Sequence, residues 1–160
     1  MIKFIALFLT LIVANAQTLS YMLPDHKALF EHALMAHLKK ANKEIVILTP
    51  LLHYGSLRSQ LVRNIGKGIK LTIISQNPTH DSLSLVAYRN VELYTYQARP
   101  LNDTLILIDN TAVCHLSGAL DEEELTHKTQ NVLCSDAPEL LQIMQTNVEK
   151  ILTRSKPYLK

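Results

Sequence analysis

Two short apolar runs constrain the fold of this chain more than any other feature. Residues 44–49 read Glu-Ile-Val-Ile-Leu-Thr and residues 69–74 read Ile-Lys-Leu-Thr-Ile-Ile. Both are rich in β-branched residues and too short for helices, so they read as buried strands. A helical pattern precedes each. After a polar lead-in and Pro24-Asp25, Leu29, Phe30, Ala33, Leu34, Ala36, Leu38 and Ala41 recur at helical spacing. Leu57, Leu61, Val62 and Ile65 share one face of a second helix over 56–67, and Gly66 and Gly68 end it, one of them in the left-handed conformation. In the second strand Lys70 and Thr72 are expected to point outward.

Downstream, Asn77-Pro78 marks a turn and 82–87 a short helix. A strand over 91–96 stops at Arg99-Pro100. Strands over 104–109 and 111–116 meet at the tight-turn pair Asp109-Asn110. Residues 121–124 read as a solvated acidic loop, 130–134 as a strand, and 138–154 as a closing amphipathic helix. Asp136 is its expected N-cap, with Pro138 in its first turn. Alternating helices and buried strands predict an α/β fold, a single mixed sheet of about six strands flanked by helices on both faces. No repeat, low-complexity segment or linker interrupts the chain, which reads as one domain over 17–160.

The first sixteen residues read differently. Met-Ile-Lys leads into apolar residues from Phe4 to Val13 and then Ala14-Asn15-Ala16. A positive start, a short apolar core and small residues at −3 and −1 form a secretory signal peptide over 1–16, cleaved before Gln17. The alternative, an uncleaved anchor, needs roughly 20 apolar residues to span a bilayer. No Cys follows the small residues, against a lipoprotein anchor. The chain is thus expected to be periplasmic or secreted, with no transmembrane span after cleavage. Outside the cytosol Cys114 and Cys134 can oxidise and stay oxidised. Closing the loop between them adds about 3 kcal/mol in the chain-entropy model. The alternative is two buried free thiols acting as small hydrophobes.

Motifs for familiar chemistries are missing. Apolar content of 48% and a net charge of only +2 exclude a disordered chain and argue against a strongly electrostatic nucleic-acid binder. Gly66-Lys67-Gly68 follows a helix and precedes a strand, the reverse of a phosphate loop, so it reads as a helix stop. No nucleophile elbow, zinc-protease motif or dinucleotide fingerprint occurs, and no cofactor or metal is expected. Histidines 26, 32, 37, 53, 80, 115 and 127 are scattered. His115 and His127 flank the acidic loop and could approach one another, though a structural or surface role is the simpler reading of each.

From residue 27 to 154 the order of pieces resembles the phospholipase D superfamily. The pieces are the strand 43–50, a helix ending at Gly66-Lys67-Gly68, the strand 69–75, the strand 91–96, and Leu105-Ile-Leu-Ile-Asp109-Asn110-Thr-Ala-Val113. The likeness is greatest to the short, secreted, single-motif bacterial nucleases. That family carries H-x-K, four residues, then D: a phosphohistidine nucleophile, a cation for the phosphate, and an Asp that orients a His. With Asp109 as the motif Asp, the His position falls on Asn102 and the Lys position on Thr104. A carboxamide forms no phosphoryl-enzyme intermediate and Thr carries no charge. The later Gly-Ser pair falls on Leu116-Ser117, and the acidic residue that supports the His falls near Gln130. Asp109 serves the tight turn as readily as any reaction.

The resemblance therefore implies a phospholipase D-like domain whose motif is degenerate and catalytically inactive, with a binding or assembly role. The expected ligand is phosphate-containing, a nucleic acid or an envelope component. Asn102, Thr104, Ser117 and Gln130 would hold it. Lys39, Lys40, Lys43, Arg58, Arg63, Lys67 and Lys70 would rim the cleft, unless they are ordinary solvated helix faces. The alternative is an active phosphodiesterase with displaced residues, His115 and His127 sharing nucleophile and acid roles and Lys128 as the nearest cation. A third reading is a purely structural envelope protein. Single-motif members dimerise to complete their site, which implies a homodimer. The strands carrying Cys114 and Cys134 are sheet neighbours in that family, which favours the disulfide.

Overall fold

The runs at 44–49 and 69–74 become neighbouring parallel strands at the centre of a sheet, which is why both read as continuous apolar stretches: each is covered on both faces. The computed structural model describes residues 16–158, so the leader read over 1–16 lies, apart from Ala16, outside the described residues. In chain order the elements are β1 (Thr18–Leu23), α1 (Lys27–Lys40), β2 (Glu44–Thr49), β3 (Leu52–His53), α2 (Gly55–Gly66), β4 (Lys70–Ser75), α3 (His80–Leu85) and β5 (Val91–Thr95). Then follow β6 (Thr104–Ile108), β7 (Ala112–Leu116), β8 (Leu120–Asp121), α4 (Glu122–His127), β9 (Gln130–Ser135), α5 (Pro138–Leu152) and β10 (Lys156–Pro157).

The main sheet runs β1-β9-β7-β6-β2-β4-β5-β10. Strands β2, β4 and β5 are parallel, and the remaining neighbours pair antiparallel, so the sheet is mixed. Helices α1 and α2 cover one face, burying Phe30, Leu34, Leu38, Leu57, Leu61 and Ile65 against Ile45, Ile47, Leu71, Ile73 and Ile106. Helix α5 covers the other, with Leu141 and Val148 against Leu48, Ile74, Leu105, Leu107 and Val113. A separate parallel pair, β3 with β8, sits beyond the carboxyl ends of β2 and β4.

The architecture matches the expectation, but the main sheet has eight strands rather than about six. The polar lead-in is an edge strand, β1, whose outer side has no partner among the described residues, so its residues stay largely exposed and give no buried-strand signal. Strand β10 is only two residues long. Thr72 is buried rather than outward, because α5 covers the face it shares with Ile74. The acidic stretch at 121–124 is no loop. Asp121 caps α4 by accepting from Glu124 N at 3.0 Å, and Glu122, Glu123 and Glu124 occupy its first turn, where the helix dipole favours them. Asp136 does not cap α5; the cap is Ala137, and Asp136 Oδ1 instead accepts from Gln17 N at 2.5 Å. The short helix starts at His80, earlier than read, because Thr79 and Ser82 close a capping box around it.

Two turns fall where expected. Gly68 takes φ +86 after α2. Asp109 and Asn110 both lie at positive φ, 52° and 53°, the conformation of a tight turn between antiparallel strands such as β6 and β7.

Candidate functional site

The positions that the resemblance singled out lie in and beside β6, and the two ends of that strand do different jobs. At one end, Asp109 holds the loop that enters β2. Its carboxylate accepts from the backbone N–H groups of Asn42 (2.6 Å), Lys43 (2.8 Å) and Glu44 (2.9 Å). Partial burial pushes this carboxyl up, but the three N–H donors and the nearby Lys43 charge outweigh burial and hold it below its ordinary value. Among the described residues its hydrogen-bond partners are these three backbone groups and no histidine, the geometry of a turn and a loop clamp.

At the other end, Thr104 lies at the carboxyl end of β2, where open α/β sheets ordinarily keep their ligand crevice. Here that space is filled. Thr49 and Thr104 are wholly buried, and their hydroxyls meet at 2.8 Å. Thr104 Oγ1 also lies 2.7 Å from the Gly118 carbonyl, and Thr49 Oγ1 lies 2.8 Å from the Leu51 carbonyl. Two hydroxyl protons are shared among these three contacts, so two of the three are hydrogen bonds at any one time. Thr49 Oγ1 also accepts from Leu120 N at 3.2 Å, tying the β8 segment down over the end of the sheet.

Gln130, 2% exposed, continues the plug. Its carboxamide packs on Gly118 so closely that a Cβ there would lie 2.5–2.8 Å from three of its atoms. Its Nε2 points at Glu124 Oε2 (3.5 Å), which also accepts from Ala119 N (3.1 Å). Gln130 Oε1 is buried with no hydrogen-bond partner among the described residues. Lys128 bonds Glu124 Oε1 at 2.5 Å. That bond, helped by Ala119 N–H and opposed by burial, holds the Glu124 carboxyl below its ordinary value.

The predicted ligand set is therefore divided. Thr104 and Gln130 belong to the buried plug. Ser117 is exposed, and its N–H and Oγ both engage the backbone of Asn131, at 3.0 and 2.9 Å. Asn102 lines a separate cleft of about 500 Å³ on the α5 side of the sheet. The cleft has an apolar floor of Leu48, Leu101, Leu105, Met144 and Ile151, with Asp103, His115, Asn147 and Lys150 beside Asn102. His115 Nε2 lies 3.5 Å from Asp103 Oδ2. His127 ends α4, whose buried Leu125 packs into the core on the α1 and α2 face, whereas His115 faces α5. The two histidines are not brought together, and Lys128 is engaged by Glu124.

The basic residues also divide. Lys39, Lys40, Lys43, Arg63, Lys67 and Lys70 are exposed at the helix ends and strand starts on the Asp109 side of the molecule. They face away from the plug. Arg58 alone lies toward it, held by Ser84 (2.9 Å) and Asp81 (3.7 Å). Cys114 and Cys134 sit directly opposite on β7 and β9 and form a disulfide. Among the described residues no three His, Cys, Asp or Glu side chains gather closely enough to hold a metal ion, and no helix is long and apolar enough to cross a membrane. Thr49, Gly118, Glu124, Asp103 and Lys150 escaped the sequence reading. Only Thr49, a polar residue ending an apolar run, left a signal there.

No protein-family model matches this chain, and no curated protein matches its sequence. Solved structures do. NucT from Helicobacter pylori superposes with a TM-score of 0.82 at 14% identity, over 90% of this chain and 100% of NucT. Nuc from Salmonella typhimurium, a phospholipase D family member, superposes with a TM-score of 0.77 at 16% identity, over 91% of this chain and 100% of Nuc. The archaeal chromatin protein TrmBL2, whose structure shows a novel mode of DNA binding, superposes with a TM-score of 0.62 at 12% identity, over 94% of this chain and 56% of TrmBL2. At these identities the likeness establishes the fold, which is phospholipase D-like.

Proposed function

We propose that this phospholipase D-like chain is an exported, non-hydrolytic module that binds a phosphate-bearing polymer, nucleic acid foremost. One observation carries the reading: the position that falls on the motif Lys is Thr104, a wholly buried hydroxyl inside a plug made by the protein's own Thr49, Gly118 and Gln130. Phosphoryl transfer through a histidine needs a nucleophile, a cation for the developing charge, and room for the phosphate. Asn102 supplies no such nucleophile and Thr104 no cation, and the Thr104 hydroxyl is buried in the plug, away from the cleft that Asn102 lines.

Binding does not need that site. The exposed Lys39, Lys40, Lys43, Arg63 and Lys67 gather at one end of the molecule, where these five cations outnumber the Glu44 and Asp109 carboxylates, and the net positive surface suits a polyanion. TrmBL2, a chromatin protein described as binding DNA, carries the same fold. The disulfide supports export, since such bonds persist outside the cytosol. The test is titration with labelled single-stranded DNA. Replacing Lys39, Lys40 and Lys43 with Glu should weaken binding at least about tenfold and flatten its salt dependence. Absence of binding at low salt, or binding indifferent to these changes, would count against the proposal.

A second reading has its own observation. The His115–Asp103 pair lies in an open cleft with Lys150 on its wall, an arrangement that could orient a histidine for acid–base or nucleophilic work. If a phosphodiester is turned over, and His115→Ala abolishes the turnover, this reading replaces the first.

A further inference from the structure

The two edges of the main sheet are protected very differently. At one edge, β10 has two residues, one a Lys and the other a Pro, and these are common devices against edge-to-edge pairing. At the other, β1 runs six residues, Thr-Leu-Ser-Tyr-Met-Leu, with no charge, proline or bulge. Its pairing with β9 is regular along its whole length, and Gln17 N bonded to Asp136 Oδ1 anchors its start. The edge is therefore regular and unguarded.

The outward main-chain groups can be assigned. Asp136 N donates to Gln17 O, so Gln17 and every second residue after it bond β9. Thr18, Ser20 and Met22 face the other way. Met22 is already served by the following turn, because Met22 N meets His26 Nδ1 at 3.3 Å and His26 N donates to Met22 O at 2.9 Å. That leaves Thr18 and Ser20, both exposed, with an N–H and a C=O each and no backbone partner among the described residues. Between them Leu19 keeps 38% of its surface exposed.

We infer that β1 pairs antiparallel with β1 of a second copy, across a two-fold axis at Leu19. Thr18 of each copy then lies opposite Ser20 of the other, and the free donors and acceptors match without remainder. Leu19 meets Leu19 at the closely spaced, non-hydrogen-bonded position on the axis, covering the apolar surface that each exposes. A second copy is the occupant because the edge is complementary to itself in donors, acceptors, apolar contact and lack of charge, as a two-fold interface requires. This dimer joins sheet edges and is independent of the motif positions. It rests on the part of the proposed function that removes residues 1–16, since β1 must begin the chain.

The experiment is sedimentation of the purified, processed protein over about 5–200 µM, a range suited to a small interface. Intact mass on the same sample verifies that it begins at Gln17, so a failure of processing is separated from a failure of the interface. Ser20→Pro removes only an outward N–H, a change that edge strands tolerate, and leaves the β9 ladder intact. By symmetry it deletes two of the four bridging hydrogen bonds and should raise the dissociation constant about ten- to a hundredfold. Leu19→Lys should do the same by placing two ammonium groups face to face. Both variants should keep the wild-type circular dichroism. A wild-type protein that stays monomeric throughout, or a dimer that survives both substitutions, overturns the inference.

Discussion

Replacing Asp109 tests whether its carboxylate is a structural clamp. In Asp109→Ala three backbone N–H groups, those of Asn42, Lys43 and Glu44, lose their acceptor. Hydrogen bonds to a charged acceptor are worth about 1.5–3 kcal/mol when buried. The Asn42 and Lys43 N–H groups are exposed and water replaces the carboxylate, so these two together contribute about 1 kcal/mol. The half-buried Glu44 bond adds about 1 kcal/mol. Alanine at φ 52° adds about 1 kcal/mol of strain that Asp and Asn largely escape. The total is about 3 kcal/mol, read as a lower urea midpoint at unchanged slope. Asp109→Asn keeps the turn and one acceptor oxygen and should cost about half as much. The pH dependence follows in sign. The folded carboxyl titrates below its unfolded value, so its contribution is complete above the unfolded value of about 3.9 and is lost as pH falls through the folded one. The gap between wild type and Asp109→Asn should therefore hold from neutral pH down to about 3.9 and shrink only below that. An Asp109→Ala protein as stable as wild type at neutral pH would refute the clamp.

Three further outcomes follow from the plug and the disulfide. Gly118→Ala forces its new methyl into the Gln130 carboxamide and should cost about 1–3 kcal/mol by thermal melting, but much less in a Gln130→Ala background, so equal costs in both would contradict the packing. Mutating Cys114 and Cys134 to Ser should remove about 2–4 kcal/mol, measured by urea unfolding without reductant. Asn102→His with Thr104→Lys should lower the melting temperature and restore no cleavage of a chromogenic phosphodiester, because the new ammonium would lie buried beside Thr49 and Gln130. Turnover by that protein would reopen the site.

How much was legible depended on whether a residue's environment is local. Strands β2 and β4 could be read because burial on both faces makes a run apolar, and β6 because its five residues are all buried. Strand β1 could not, because an edge strand that is mostly exposed carries no such run. Asp109-Asn110 announced its turn, since left-handed backbone is a property of the residues themselves. Asp136 is the expected cap in sequence, but its carboxylate is taken by Gln17 N from the far end of the chain, while Asp121, read as part of a loop, caps α4. The same holds at the site. Counting along β6 placed Thr104 and Asp109, but the plug needs Gly118, Glu124 and Gln130 to fold back on Thr49. The basic residues could be named but not oriented, because spacing along a helix does not say which end of the sheet that helix end reaches.

The central claim is that the phospholipase D-like scaffold here holds no working phosphoryl-transfer site. It is tested most directly by incubating the processed, disulfide-bonded protein with a chromogenic phosphodiester and with single-stranded DNA, beside an identically prepared His115→Ala protein. The account predicts no turnover of either substrate by either protein. Turnover by the wild type that disappears with His115 would contradict it and move the chemistry to the cleft beneath α5.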